Sequence, residues 1–389
     1  LIAISISLLV VLYSDTIIFS YIFKLYNITH LEPSFADIRS YQALPLTVDN
    51  GFDPYINHIY DPWKRPFNLP IIWYYISKYL NLVNEFNFKL FIFLYLSSFI
   101  FCVSRIISIS KNIISSFIII LIFLSSSTIL AIERGNTDIL IFSIIFIACA
   151  VNNFYTSFVL IFLASILKLY PIFTFNINFN LKKKVVLSIT GIFLIFIILF
   201  KNLNYFFYNT HSSFDTGITY GFRSIIMGLY KVEERLGLDL LSKNEILYNM
   251  IFLSFIIFIC LFILYFIRKK NYFNNINFTN IENRLFIAGA SIYCFSFIFF
   301  SSYDYRLIFL IFTIPYLVNN LNLLNKISIF FMLISSNSIL IYSLAGTPYE
   351  YMYIGIFIHL CKFFLFLFIL RELTKFLKVF IYDVILIKN

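Results

Sequence analysis

Apolar runs of about twenty residues recur along this chain and leave it few ways to fold. "IISSFIIILIFLSSSTILAI" (113–132), "NMIFLSFIIFICLFILYFI" (249–267) and "YIGIFIHLCKFFLFLFIL" (353–370) each have the length that crosses a hydrocarbon core as helix. Composition agrees: 61% of the 389 residues are hydrophobic and 12% charged, whereas ordinary globular chains are about a quarter charged. Mean hydropathy is +0.89. The expectation is an all-α polytopic membrane protein of about 12 transmembrane helices.

The runs fall at 1–20, 89–106, 113–132, 138–151, 155–168, 170–181, 185–200, 249–267, 285–300, 305–318, 327–344 and 351–370. The stretch 67–82 is short, is interrupted by Pro70 and Lys78, and carries Trp73, Tyr74 and Tyr75. It reads as a helix lying at the membrane interface in the first outer loop. Lys168 and Pro171 divide 155–181 into two short helices meeting near the outer face. With the N-terminus inside, Arg105, Lys111, Lys182, Lys183, Lys184, Arg268, Lys269, Lys270, Arg284, Lys326, Arg371, Lys375 and Lys378 all lie on the cytoplasmic side. That is the asymmetry of the positive-inside rule, and it places both termini in the cytoplasm of a plasma (inner) membrane protein. The net charge of +10 is accounted for by these flanking residues, so nucleic acid is not an expected partner. The five cysteines sit inside apolar runs without pairing or metal-ligand spacing. One membrane domain covers 1–389: a module over about 1–200, an outer loop over about 201–248, and C-terminal helices over about 249–389.

Against this background one polar stretch stands out, "ERGNTD" (133–138), between two apolar runs. By itself it reads as a tight turn at Gly135 with Asp138 capping the next helix. Other polar groups belong to the same side. Lys168 lies in an apolar run, where a lysine by default faces a cavity or an anion, or else snorkels. "SSYDYRLIF" contributes Asp304 and Arg306, and "YGFRSI" contributes Arg223. Several cations on one face suit a phosphate, since arginine offers a planar fork and lysine a point charge. The first outer loop supplies carboxylates: Asp37 opens a short helix-like stretch, and Asp53 lies in the turn "NGFDPY". A general base needs one carboxylate within hydrogen-bond reach of an acceptor hydroxyl.

Asp37 with Tyr41 four residues on, the turn "GFDPY" (51–55), the prolines Pro66 and Pro70, "ERGNTDILIF" and "KLYP" (168–171) follow in order over about residues 30–180. This ordered set resembles the polyprenol-phosphate-sugar-dependent membrane glycosyltransferases of the GT-C superfamily, most closely glycosyltransferase family 87. The resemblance implies a GT-C-like fold, an extracytoplasmic site and a donor carrying one sugar on a polyprenyl phosphate. It also implies an Asp of the first outer loop, here Asp37, as the base.

The expected reaction is an inverting glycosyl transfer. Asp37 takes the proton of an acceptor hydroxyl on a lipid, glycan or protein, while Lys168, Arg134 and Arg306 neutralise the departing phosphate. Asn136, Asp138 and Arg223 belong to the expected donor-binding set, and Asp53, Tyr41, Glu133 and Asp304 support it. Mannose, arabinofuranose and glucose donors all satisfy this chemistry. No metal ligand set is expected, and a divalent cation is compatible with the site but not demanded. The other partners are glycolipid or glycan acceptors and membrane lipids. Two alternatives are an O-antigen polymerase or ligase, centred on Arg223 in place of Asp37, and a lipid-linked sugar flippase. His58 and His211 read as surface loop residues, and His359 as packed against a neighbouring helix.

Overall fold

The computed structural model describes residues 2–14, 16–178, 189–192, 194–195, 219–235, 245–268, 278–299, 302–345 and 347–380. Its first half holds α1 (Ile2–Tyr13), α2 (Ile17–Leu25), α3 (Ala36–Asp49), α4 (Ile72–Tyr79), α5 (Glu85–Ser110), α6 (Ile113–Phe123), α7 (Ser126–Arg134), α8 (Asp138–Ala150) and α9 (Phe154–Leu167). Its second half holds α10 (Phe222–Arg235), α11 (Glu245–Arg268), α12 (Ile281–Phe299), α13 (Ile314–Asn319), α14 (Leu323–Ser336), α15 (Ser338–Tyr342) and α16 (Pro348–Phe380). Two 3-10 helices, Tyr170–Asn178 and Asp304–Thr313, are also present. Among the described residues the strand content is one short antiparallel pairing, β1 (Thr219–Tyr220) with β2 (Ser302–Tyr303).

Asparagine starts several of these helices. The side chains of Asn84, Asn112, Asn153 and Asn322 each accept a hydrogen bond from backbone N–H groups in the first turn of α5, α6, α9 and α14. This satisfies donors that the helix itself leaves unpaired.

The chain is predominantly helical and apolar. Among the described residues α5, α11 and α16 are long and apolar enough to cross a bilayer, and up to five spans result if two bent pairs are each counted as one. The expected single run 1–20 is in fact α1 and α2, bent by 112°, and 113–132 is α6 and α7, bent by 48°. Ser125, whose side chain makes no capping bond, marks the second bend. The runs expected at 170–181 and 305–318 are largely 3-10 helix, and 327–344 breaks at Asn337 between α14 and α15. Most of 185–200, and residues 201–218 and 236–244, lie outside the described residues.

The elements run back and forth between two ends. At one end Asn136 contacts Asp37, and the Trp73 indole donates to the Leu167 carbonyl. At the other, Arg284 closes the C-terminus of α8 by donating to the carbonyls of Ala148 (2.9 Å) and Val151 (2.6 Å), and Asn319 donates to Glu282. Between the ends the packing is aromatic: the Phe142 ring meets Phe99 at 4.9 Å and Phe312 at 4.2 Å. Gly289 lets α12 approach the Asp304–Thr313 segment closely, because a Cβ there would lie 2.5 Å from the Phe309 carbonyl oxygen. Small residues that let backbones approach are what holds helices together where lipid removes the hydrophobic drive.

Candidate functional site

The polar stretch 133–138 lies where α7 turns into α8. Gly135 ends α7 in the left-handed region (φ +60°), and a Cβ there would lie 2.9 Å from the Phe35 Cβ, 3.0 Å from Ile38 Cγ2 and 3.1 Å from the Tyr95 hydroxyl. Only glycine satisfies both demands. The tight turn expected from sequence is present, and it brings the start of α3 against the start of α8.

Asn136 then bridges the two helices. Its amide donates to Asp37 Oδ2 at 2.6 Å while its carbonyl oxygen accepts the Asp138 N–H at 3.0 Å. Asn136 therefore performs the capping expected of Asp138. The Asp138 carboxylate is fully buried instead, and is met by Lys168 Nζ at 2.5 Å, the Tyr170 hydroxyl at 2.8 Å and Arg306 Nε at 3.5 Å. Lys168 stands at the C-cap of α9, in extended conformation, where the helix ends before the 3-10 helix. Arg306 lies over the Tyr170 ring at 4.2 Å and donates to Ser302 at 2.6 Å. Asp37, Asn136, Asp138, Lys168 and Arg306 thus form one cluster from four separate parts of the chain.

Two residues that the sequence reading did not single out complete it. Arg65 Nη1 reaches Asp37 Oδ1 at 3.4 Å, and Asp61 holds the other side of the same guanidinium at 3.2–3.3 Å. Burial works against the Arg65 charge, yet the hydrogen bonds it donates to Asp61 and the nearby Asp37 carboxylate outweigh it and hold its pKa above the ordinary value. Nothing in "DPWKRPF" separates Arg65 from a surface arginine, since its role depends on a turn that folds it back 28 residues.

The remaining expected residues have other surroundings. Tyr41 is buried, stacks on Trp73 at 4.6 Å and shares a hydrogen bond with Thr137 at 3.3 Å; burial pushes its phenol pKa up. Glu133 is fully buried beside His30 (3.3 Å) and Arg134 (3.0 Å), and accepts the Leu31 N–H. Arg134 is therefore an ion-pair partner of Glu133. Asp53 is exposed and closes its own turn by accepting the Tyr55 N–H, which is a structural role for the "GFDPY" motif. Asp304 is buried against Lys362 at 2.7 Å and also accepts from the Ser338 hydroxyl. Lys362 carried the same signal as Lys168, a lysine within an apolar run, and could have been found by it. Arg223 is exposed in the first turn of α10.

His58, expected at the surface, is buried: its ring pairs with the Thr47 hydroxyl at 2.6 Å and the Ser40 carbonyl at 2.9 Å, and burial lowers its pKa. His359 comes near Gly228 of α10, as expected of a packed histidine. His211 lies outside the described residues. Among the described residues no three His, Cys, Asp or Glu side chains are grouped to hold a metal ion. Comparison with family models, curated proteins and solved structures gave no match.

Proposed function

We propose that this chain is a membrane glycosyltransferase that moves a sugar from a polyprenyl-phosphate donor to an acceptor hydroxyl, with inversion. In this reading it crosses the membrane about a dozen times, and the cluster faces the extracytoplasmic side.

The observation that carries the reading is the division of labour among three neighbouring carboxylates. Asp138 and Asp61 have side chains with no exposure, and each is occupied by cations. Asp37 keeps 25% of its side chain exposed while Asn136 fixes its orientation. A base needs both properties, a held geometry and access to a substrate hydroxyl. Beside it Lys168 and Arg306 share the single charge of Asp138, which leaves one positive charge in excess on that side. This has the sign required to stabilise a phosphate as it departs. The bond from the anomeric carbon to the phosphate oxygen breaks as the acceptor oxygen bonds to that carbon, and the acceptor's proton passes to Asp37.

The test is direct. Purified protein is incubated with radiolabelled polyprenyl-phosphate mannose, arabinofuranose and glucose together with membrane extract, and labelled products are identified. Asp37→Asn is expected to cut turnover about 10²–10⁴-fold, the usual loss when a general base is removed. Turnover near wild type in Asp37→Asn would remove the base assignment, and transfer from none of the donors would remove the reading.

A further inference from the structure

Of the three cations expected to neutralise the departing phosphate, Lys168 and Arg306 are less accessible than Arg134. Their side chains are 10% and 12% exposed and both lie against Asp138. Arg65 is different, with 36% of its side chain exposed.

Its hydrogen bonding is also incomplete in a directional way. An arginine offers five N–H donors. Nε and Nη2 are committed to Asp61 at 3.3 and 3.2 Å, and Nη2 also donates to the Ala36 carbonyl at 2.6 Å. Nη1 makes a single contact, to Asp37 at 3.4 Å, well beyond the roughly 2.7–2.9 Å of a strong charge-assisted bond. The guanidinium is thus clamped along one edge and offers the other.

The clamp is itself built. Asp61 accepts from the backbone N–H of Trp63 and of Arg65, both at 3.0 Å. This holds Lys64 between them in the left-handed region, at φ +53°, a conformation that persists for a non-glycine residue only when its surroundings impose it. The Trp63 ring packs on the guanidinium, with Arg65 Cζ 4.7 Å from the ring centroid.

We propose that Arg65 is a phosphate-binding residue of this site, and that Asp61 is the positioning residue that aims it; the inference rests on the reading that the substrate is a phosphorylated polyprenyl lipid. Lys168 then acts mainly as the internal counter-ion of Asp138. A phosphate oxygen bonded to the far side of Nη1 lies about 5–6 Å from the Asp37 carboxylate at ordinary hydrogen-bond length.

Trp63 is one of two tryptophans in the chain, so intrinsic fluorescence can report binding. Detergent-solubilised protein is titrated with decaprenyl monophosphate, with decaprenol, and with inorganic phosphate. Wild type should bind decaprenyl monophosphate saturably and decaprenol far more weakly; inorganic phosphate binding as tightly as the lipid would show that the site takes a free anion. Arg65→Gln should weaken lipid-phosphate binding by about tenfold or more, as expected for loss of a charge-assisted contact. Arg65→Lys, which keeps the charge without the fork, should fall between. Asp61→Asn should weaken binding and abolish the difference between Arg65 and Arg65→Lys. Affinity within about threefold of wild type in folded Arg65→Gln overturns the proposal; if that variant does not fold, unchanged affinity in Arg65→Lys overturns the role of the fork. Absence of saturable binding by wild type sinks the phosphorylated-lipid reading itself, a different outcome from binding that ignores Arg65.

Discussion

At the residue scale, burial has sorted the charges into those that hold the molecule together and those that face outward. Lys168 stands out in the sequence as a lysine in an apolar run, and its partner is Asp138, fully buried, 2.5 Å away. Removing one member of such a pair leaves an uncompensated buried charge, which typically costs about 3–5 kcal/mol. Here the loss should be smaller, because Arg306 remains 3.5 Å from the same carboxylate. Lys168→Met should therefore lower the thermal unfolding midpoint in detergent, and adding Asp138→Asn to it should restore much of the loss. A melting curve for Lys168→Met that matches wild type would mean the pair carries no structural weight. The polar character of Lys168, Asp138 and Arg306 was legible in the sequence, but their pairing was not, since it depends on how far each helix runs before it breaks.

At the element scale, the turn at Gly135 is the joint on which the cluster depends. It reverses the chain between α7 and α8 and presses against Phe35 and Ile38 of the α3 start. Gly135→Ala combines a left-handed backbone, about 1–2 kcal/mol for an L residue, with overpacking of about 1–3 kcal/mol. The expected outcome is a drop of several degrees in the unfolding midpoint together with loss of transfer activity, because Asn136 and Asp37 separate. Full stability and activity in Gly135→Ala would show that α3 yields without disturbing the site. The turn itself was visible as a glycine between two helical runs. The 3-10 helices at Tyr170–Asn178 and Asp304–Thr313 were not, because apolar residues without a polar face carry no period that separates one helical form from another.

At the scale of the whole molecule, the alternation between two ends is open to a labelling test. Glu32 and Asp53 are exposed in the segments on either side of the helix that carries Asp37, whereas Asn152 and Leu321 are exposed next to the residues joined to α12 by Arg284 and Glu282. Single cysteines at Asp53 and Glu32, in a background lacking the five native cysteines, should react with an impermeant thiol reagent added outside intact cells. Cysteines at Asn152 and Leu321 should not. The reverse pattern would invert the orientation, and labelling of all four would remove the two-ended arrangement.

What the sequence determined by itself is the class of molecule: long apolar runs admit only helix in lipid, and charged residues between them mark the ends. It also showed which residues were out of place, Glu133 to Asp138 and Lys168, because a polar group in an apolar setting stands out by composition alone. The tertiary structure decided which of those polar groups are spent on one another. Asp138 is taken by Lys168 and Arg306, Glu133 by His30 and Arg134, and Asp304 by Lys362, while Asp37 stays partly open with Arg65 beside it. The physical reason is that a charge's role depends on its distance to the nearest opposite charge and on its access to water. Both are set by contacts between residues far apart in the chain.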